Sequence, residues 1–326
     1  MLAAARQALH PLDPASAELT LLRAPLVSNK AVLYFLGRRS GRPLYVVKAP
    51  SCAAGLTAAA EYSALRQCHA WWAAEDRHRV AQPLALLRPP DAYLMVHVPG
   101  PPLSHVLSQP LLQPRRALAA TAAAGDFLRR FHRHARYGAM EVDVLELVGK
   151  IREVEASEMR AAGLALPARV ARILDAAPRE RLCGPCVRLH GDYAPRNLIL
   201  WRDGEVAMID PVLDAAGPAE EDLATFLSML SSASIFAAGL ALPPMRRLRL
   251  NLEGAFRTAY GVDVVSPVIL RLTLIRKLMR RWAYRRGRRL GSLERRLASL
   301  RERLIDAQMR ALLEECAMEL PWGGTR

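Results

Sequence analysis

The chain is short of the features that mark an exported, membrane-spanning or disordered protein. Cysteine is scarce and odd in number, five among 326 residues, which fits free thiols in a reducing cytoplasm rather than a disulfide framework. The first fifteen residues carry Arg6 and Asp13 and lack a continuous apolar core, so no signal peptide is expected there. No internal repeat and no low-complexity tail occurs. One uncharged run, Leu223 to Met245, is long enough to span a bilayer. Ser228, Ser231, Ser232, Ser234 and Gly239 within it and Pro243-Pro244 at its end predict instead a buried helix and the loop after it. Acidic residues are also in deficit: 31 Asp and Glu face 46 Lys and Arg, a net charge of +15.

A hydrophobic fraction of 52% with 24% charged residues suits a packed chain, and the length allows one large domain or two lobes with a core each. Ala31 to Leu36 and Leu44 to Val47 read as strands joined by a Gly- and Pro-punctuated hairpin loop over 37–43. An alanine-rich helix is expected from about Ala53 to Trp72, then short strands at Leu84 to Leu87 and Tyr93 to Val98. Pro99-Gly100-Pro101-Pro102 ends regular structure and marks a boundary between a first lobe, 1–98, and a second, 99–326. Helices are expected over Arg115 to His134, Asp143 to Ala162 and Ala168 to Ala176. Short strands follow from Val187 to Ile209, then helices from Ala219 to Leu313. The fold class predicted is α+β, a small antiparallel sheet lobe joined to a larger, mainly helical lobe.

The chemistry concentrates in His190-Gly191-Asp192-Tyr193-Ala194-Pro195-Arg196-Asn197, followed by Leu198 to Trp201, Asp203-Gly204 and Glu205 to Asp210. An Asp-Gly pair between two apolar runs is a hairpin signal. In a hairpin centred on it, opposed residue numbers sum to 407, which sets Asn197 across from Asp210 with Cα atoms about 5 Å apart. An amide oxygen and a carboxylate that close are hard ligands suited to Mg2+ shared with nucleotide phosphates. Asp192, on the loop entering the first strand, can face the same site without binding the metal and accept the proton of an attacking hydroxyl.

This stretch resembles the catalytic loop and metal-binding segment of the aminoglycoside phosphotransferase and choline kinase group, within the protein-kinase-like superfamily: His-Gly-Asp, four residues, Asn, then a hairpin ending in Ile-Asp. Asp214, Gly217-Pro218 and Glu221-Asp222-Leu223-Ala224 resemble the signature that follows in that group and anchors the next helix beneath the site. The resemblance implies Asp192 as catalytic base, Asn197 and Asp210 as metal ligands in contact with the nucleotide, and His190 as a scaffold of the loop. Pro211 stands where protein kinases carry Phe-Gly, which argues against an activation segment of that type. In the first lobe Tyr45-Val46-Val47-Lys48 resembles the strand bearing the nucleotide-binding lysine, and Glu61 its helical partner; such a pair aims the ammonium at the α- and β-phosphates. Leu26-Val27-Ser28-Asn29-Lys30 takes the place of the phosphate-covering loop without its glycines, and Ser28-Asn29 is a pair often shown there by small-molecule kinases. Met95-Val96-His97-Val98 resembles the hinge that pairs with adenine, which makes Met95, Val96 and Val98 nucleotide contacts. The resemblance runs from about Leu21 to Phe226 and implies a nucleotide-binding lobe, 1–98, a catalytic and acceptor-binding lobe, 99–326, and a cytoplasmic, Mg2+-dependent transfer of a γ-phosphoryl group from ATP or GTP to a small-molecule hydroxyl. A catalytically silent nucleotide-binding regulator and a nucleotidylyl transferase stay open on the same fold, and Arg196 either stabilises transferred charge or forms a loop salt bridge.

Between Arg271 and Arg303 thirteen Lys and Arg face two Glu, a local excess of +11. Leu272, Ile275, Met279 and Trp282 are spaced for one helix face. Three readings follow: a core helix with a solvated arginine face, a surface drawn to anionic lipid or to a polyanionic substrate, or a nucleic-acid contact. No aromatic interleaving accompanies the charge, which argues against nucleic acid. A cationic aminoglycoside would want an acidic pocket, so the basic helices favour a neutral or anionic acceptor, a sugar or glycan intermediate. Cys183-Gly184-Pro185-Cys186 has the spacing of a redox dithiol, but a helix-like stretch precedes it and a strand-like one follows. Coincidence or a tight Gly-Pro turn is the expectation there.

Overall fold

The structure is a computed structural model that describes residues 1–28, 31–38, 41–51, 57–75, 77–202, 204–213, 215–233, 235–236, 242–261, 264–287 and 295–323. Asn29, Lys30, Asp203 and Asp214, four of the motif residues, lie outside them. The first elements are α1 (Leu2–Leu9), β1 (Thr20–Leu21), β2 (Leu26–Val27), β3 (Ala31–Gly37), β4 (Tyr45–Pro50), α2 (Ala58–Trp71), β5 (Arg79–Val80), β6 (Pro83–Leu87) and β7 (Ala92–Val96). There follow α3 (Leu103–Val106), α4 (Pro114–His134), β8 (Arg136–Asp143), α5 (Val144–Val154), α6 (Ala168–Asp175), β9 (Arg181–Arg188), β10 (Leu198–Arg202) and β11 (Glu205–Met208). The chain ends with β12 (Ala216–Pro218), α7 (Glu220–Ser231), α8 (Pro243–Tyr260), α9 (Pro267–Gly287) and α10 (Arg295–Met318).

Two compact units emerge, Met1–Leu103 with Arg196–Leu213, and Ser104–Pro195 with Asp214–Arg326. The expected lobes are contiguous and meet at 98/99; the β10–β11 hairpin instead groups with the first unit. Strand pairing explains this. β11 runs parallel to β5, with Ala207 opposite Arg79 and Met208 opposite Val80. The Leu200 N–H donates to the Pro101 carbonyl at 2.9 Å. Gly100 lies so close to β10 that a Cβ would run into the Leu200 carbonyl, and its φ of +133° suits only glycine.

The first unit is built on an antiparallel sheet in the order β1-β3-β4-β7-β6, with β2 also pairing β3. Alternation puts Val47 and Leu94 in a core with Ala5, Leu9, Leu19 and Leu36, where α1 covers the sheet, and places Lys48 at the next position along β4. Thr57 caps α2, its hydroxyl accepting the Ala60 N–H at 3.2 Å.

In the second unit β8, β9 and β12 form a small antiparallel sheet. Cys183-Gly184-Pro185-Cys186 lies inside β9, paired with β8 from Cys183–Glu141 to Cys186–Gly138. That corrects the tight-turn expectation. Extended backbone also gives neither thiol the helix N-terminus that activates a redox dithiol. α4 and α8 pack so closely that a Cβ on Gly125 would strike the Phe256 carbonyl. The 223–245 run begins as α7, which is buried over most of its length; Ser234 and 237–241 lie outside the described residues. Among the described residues no helix is long and apolar enough to cross a membrane. α9 buries Leu272, Ile275, Met279 and Trp282 as expected, and five of its seven cations are met by acids of the same unit: Arg271 by Glu319, Arg276 and Lys277 by Glu221, Arg280 by Glu158, Arg286 by Glu302.

Candidate active site

The first unit assembles a buried charge cluster. The Lys48 ammonium lies 2.7 Å from Glu61 Oε2 and also contacts Asp210 Oδ1. Lys48 and Glu61 are 6% and 4% exposed, whereas the Asp210 side chain is 33% exposed. Strand pairing sets Tyr93 of β7 opposite Lys48, with its ring centroid 6.0 Å from the ammonium and its hydroxyl hydrogen-bonded to Glu61. Burial raises the Glu61 carboxyl above its ordinary range, and the Lys48 charge only partly opposes this. Burial likewise pushes the Tyr93 phenol up, with Asp210 and Glu61 adding to it. One cation and two carboxylates leave the cluster one negative charge in excess, on its open side at Asp210.

The hairpin register differs from expectation. Leu198 pairs Met208, Ile199 pairs Ala207 and Leu200 pairs Val206, after which Arg202 pairs Glu205. Trp201 is therefore an extra residue on β10, a bulge that the Asp-Gly turn signal does not reveal. Opposed numbers sum to 406 at the open end, and Asn197 faces Ile209, whose N–H donates to the Asn197 carbonyl at 2.9 Å. Asn197 opposite Asp210 is thus corrected by one residue. An unbroken ladder would then send Asp210 to the other face, but its φ of +67° ends the alternation there. A left-handed aspartate next to Pro211 is costly backbone, about 1–3 kcal/mol, of the kind that clusters at functional sites. Asn197 is buried, and Arg196 beside it is exposed.

The Ser28 hydroxyl and amide both bond the Ala31 carbonyl, at 3.0 and 2.9 Å, so Ser28 closes the β2–β3 turn. Met95 and Val96 end β7; the Val96 N–H donates to Gln82 and the His97 N–H to Leu44, at 2.9 and 2.8 Å. Those two amides are spoken for, while the Val98 N–H has no protein acceptor among the described residues.

In the second unit the His-Gly-Asp loop hangs from α7. The Asp222 carboxylate accepts the His190 N–H at 2.7 Å and the Gly191 N–H at 3.1 Å, and His132 Nε2 lies 3.2 Å from the same Oδ2. His132 Nδ1 in turn lies 2.9 Å from the Tyr260 hydroxyl. Burial would raise the Asp222 carboxyl, but these bonds and the neighbouring histidines hold it below the usual range. His190 Nδ1 accepts the Asp192 N–H at 3.3 Å, which makes His190 a brace of the loop, and Asp192 itself is half-buried. Tyr193 anchors the next residue by donating to the Ala124 carbonyl at 2.6 Å. Tyr93, His132 and Tyr260 carry no motif in the sequence. Asp222 does, in Glu-Asp-Leu-Ala.

A family model described as the phosphotransferase enzyme family matches residues 3–249. No curated protein matches the chain in sequence. Among solved structures, a glucosamine kinase in complex with glucosamine, ADP and inorganic phosphate has a TM-score of 0.59 at 15% identity, covering 95% of this chain and 82% of that one. Another crystal form of glucosamine kinase gives 0.53 at 15% identity, over 95% and 97% of the two chains. An amicoumacin kinase in complex with AMP-PNP and Ca2+ gives 0.51 at 13% identity, over 89% of each. This chain shares their two-lobe, kinase-like α+β fold.

Proposed function

The chain belongs to the phosphotransferase enzyme family, and on that premise we propose a kinase that moves the γ-phosphoryl group of ATP or GTP onto a hydroxyl of a sugar or glycan intermediate. The observation that carries the reading is Lys48, buried between Glu61 and Asp210. An ammonium fixed by two carboxylates is positioned before any nucleotide arrives, so little ordering cost is left for phosphate binding. The Val98 amide supports the adenine contact expected at the hinge.

Asn197 and Asp210 would hold Mg2+. Among the described residues no group of three or more His, Cys, Asp or Glu forms a metal cage, and Mg2+ needs none: one or two protein oxygens suffice when phosphate and water complete its shell. The excess negative charge at the open side of the Lys48 cluster suits such a cation. When bound, the ion supplies neutralisation of the β- and γ-phosphate charge. Asp192 orients the acceptor hydroxyl and takes its proton, while Asp222 and His190 keep the loop backbone in place. The net charge of +15 disfavours a polycationic acceptor, and the glucosamine bound in one matched structure makes hexoses and amino sugars the first acceptors to try.

Calorimetric titration with ATP and GTP, paired with product mass, tests this. Asp192→Ala should bind nucleotide as the wild type does yet lose about 10²–10⁴-fold in turnover, with products heavier by one phosphate. Products heavier by AMP would make the chain a nucleotidylyl transferase, and unchanged turnover in Asp192→Ala would remove Asp192 from the chemistry.

A further inference from the structure

A cavity of about 490 Å³ within the second unit opens where the end of α4 meets the β8–β9 hairpin and the end of α8. Arg129, Arg133 and Arg136 line it over a floor that includes His132, Val187 and Tyr260, all three buried. No residue given a role in phosphoryl transfer lines it. Arg129 and Arg133 stand one helical turn apart on the same face of α4, where like charges repel. Among the described residues none of the three arginines pairs with a carboxylate, whereas Arg271, Arg276, Arg280 and Arg286 of α9 all do. Three uncompensated guanidiniums converging on one concavity form an anion seat in want of an anion.

We propose that this cavity binds a phosphate monoester of a small organic molecule. Forked guanidinium donors match the oxygens of a phosphate dianion, and Ala139, Pro185, Val187 and Val264 offer apolar wall to the organic part. Two carboxylates lie beneath the floor. Glu220 is fully buried behind Gly184, where a Cβ would come within 3.4 Å of its Oε1, and Asp222 lies behind His132. Their charge keeps the anion at the arginines. The organic part then rests on Tyr260 and His132, the outer members of the hydrogen-bond chain that ends on the His190 and Gly191 amides. Occupancy therefore restrains the loop that carries Asp192.

The test uses the full chain and phenyl phosphate as probe, with phenol as the uncharged control. Binding is measured in the Lys48→Ala variant as well as the wild type, so that any probe entering a nucleotide site is distinguished. Saturable one-to-one binding is expected in both, about tenfold or more weaker in Arg129→Gln/Arg133→Gln, weaker also in Arg136→Gln, and absent for phenol. Because the arginines are exposed and unpaired, both variants should melt no lower than the wild type; Arg136→Gln alone decides if the double variant does not fold. Amide exchange at His190 and Gly191 should slow with the probe bound. Binding lost in Lys48→Ala, binding indifferent to the arginines, equal binding of phenol, or unchanged exchange at both amides would each overturn the proposal.

Discussion

Lys48 stands where this chain would ordinarily use arginine. Of 46 cationic residues only four are lysine, at 30, 48, 150 and 277, and a compact ammonium fits between two carboxylates where a planar guanidinium would not. That scarcity is a signal in the sequence that motif reading passes over. Lys48→Ala strips Glu61 of the charge that opposes its burial, so we expect a loss of about 1–3 kcal/mol at pH 8. A carboxyl whose folded-state pKa is raised costs stability only above its unfolded value, where the unfolded chain ionises first. The deficit should therefore shrink toward pH 5 in thermal melts, and an equal deficit at both pH values would contradict the assignment. Asp222 has the opposite sign. Its lowered carboxyl contributes stability above the unfolded pKa and loses it as pH falls through the folded one. Asp222→Ala, which leaves two loop amides and His132 without their acceptor, should cost about 3 kcal/mol by urea denaturation. That cost should hold steady from neutral pH downward and narrow only below about pH 4. Asp192, Asn197, Asp210, Lys48 and Glu61 could be singled out from the sequence because each sits in an ordered local motif. Tyr93 and His132 could not, because what gives them a role is pairing across the fold: Tyr93 meets Lys48 through the β4–β7 register, and His132 meets Tyr260 at a separation of 128 residues.

Among the elements, the long periodic ones were legible and the irregular ones were not. α4, α6 and β3 follow their sequence patterns to within about two residues. β8 is absent from the sequence reading because Arg136-Tyr137-Gly138-Ala139-Met140-Glu141 offers few apolar positions on which to see alternation; it exists because β9 pairs with it residue by residue. The bulge at Trp201 is equally silent, since a turn signal fixes where a hairpin closes but not whether both strands carry the same number of residues. Its consequence is local and chemical: the one-residue shift leaves the aim of Asp210 to its own left-handed backbone rather than to the ladder. The segment that holds this hairpin can be tested through Gly100. Gly100→Ala forces a Cβ toward the Leu200 carbonyl at positive φ, and should cost about 1–3 kcal/mol and weaken nucleotide binding with it. An alanine variant that melts with the wild type and binds ATP equally would show that the hairpin does not depend on this approach.

For the whole molecule, Pro99-Gly100-Pro101-Pro102 announces a boundary, and the structure's first unit does end close by, at Leu103. The return of 196–213 to that unit has no local signal, because it rests on β11 meeting β5 well over a hundred residues earlier in the chain. The chain thus leaves the second unit at Pro195 and enters the first at Arg196, between Asp192 and Asn197, so the motif that reads as one catalytic stretch supplies residues to both units. Charge is reorganised in the same way. The excess of +15 looks like an external field in the sequence, yet the described cations of α9 are largely met by acids of their own unit, of which the more exposed Arg280–Glu158 and Arg286–Glu302 pairs contribute little to stability. Arg129, Arg133 and Arg136 at the α4 cavity have no such acid among the described residues.

The central claim is phosphoryl transfer dependent on Asp192. Its most direct test is to incubate γ-labelled ATP and GTP, with Mg2+, with a fractionated bacterial metabolite and glycan extract, comparing the wild type with Asp192→Ala. Label should enter one fraction with the wild type alone, and that fraction then names the acceptor. Nucleotide binding with no Asp192-dependent label in any fraction would contradict the account and leave a nucleotide-binding regulator in its place.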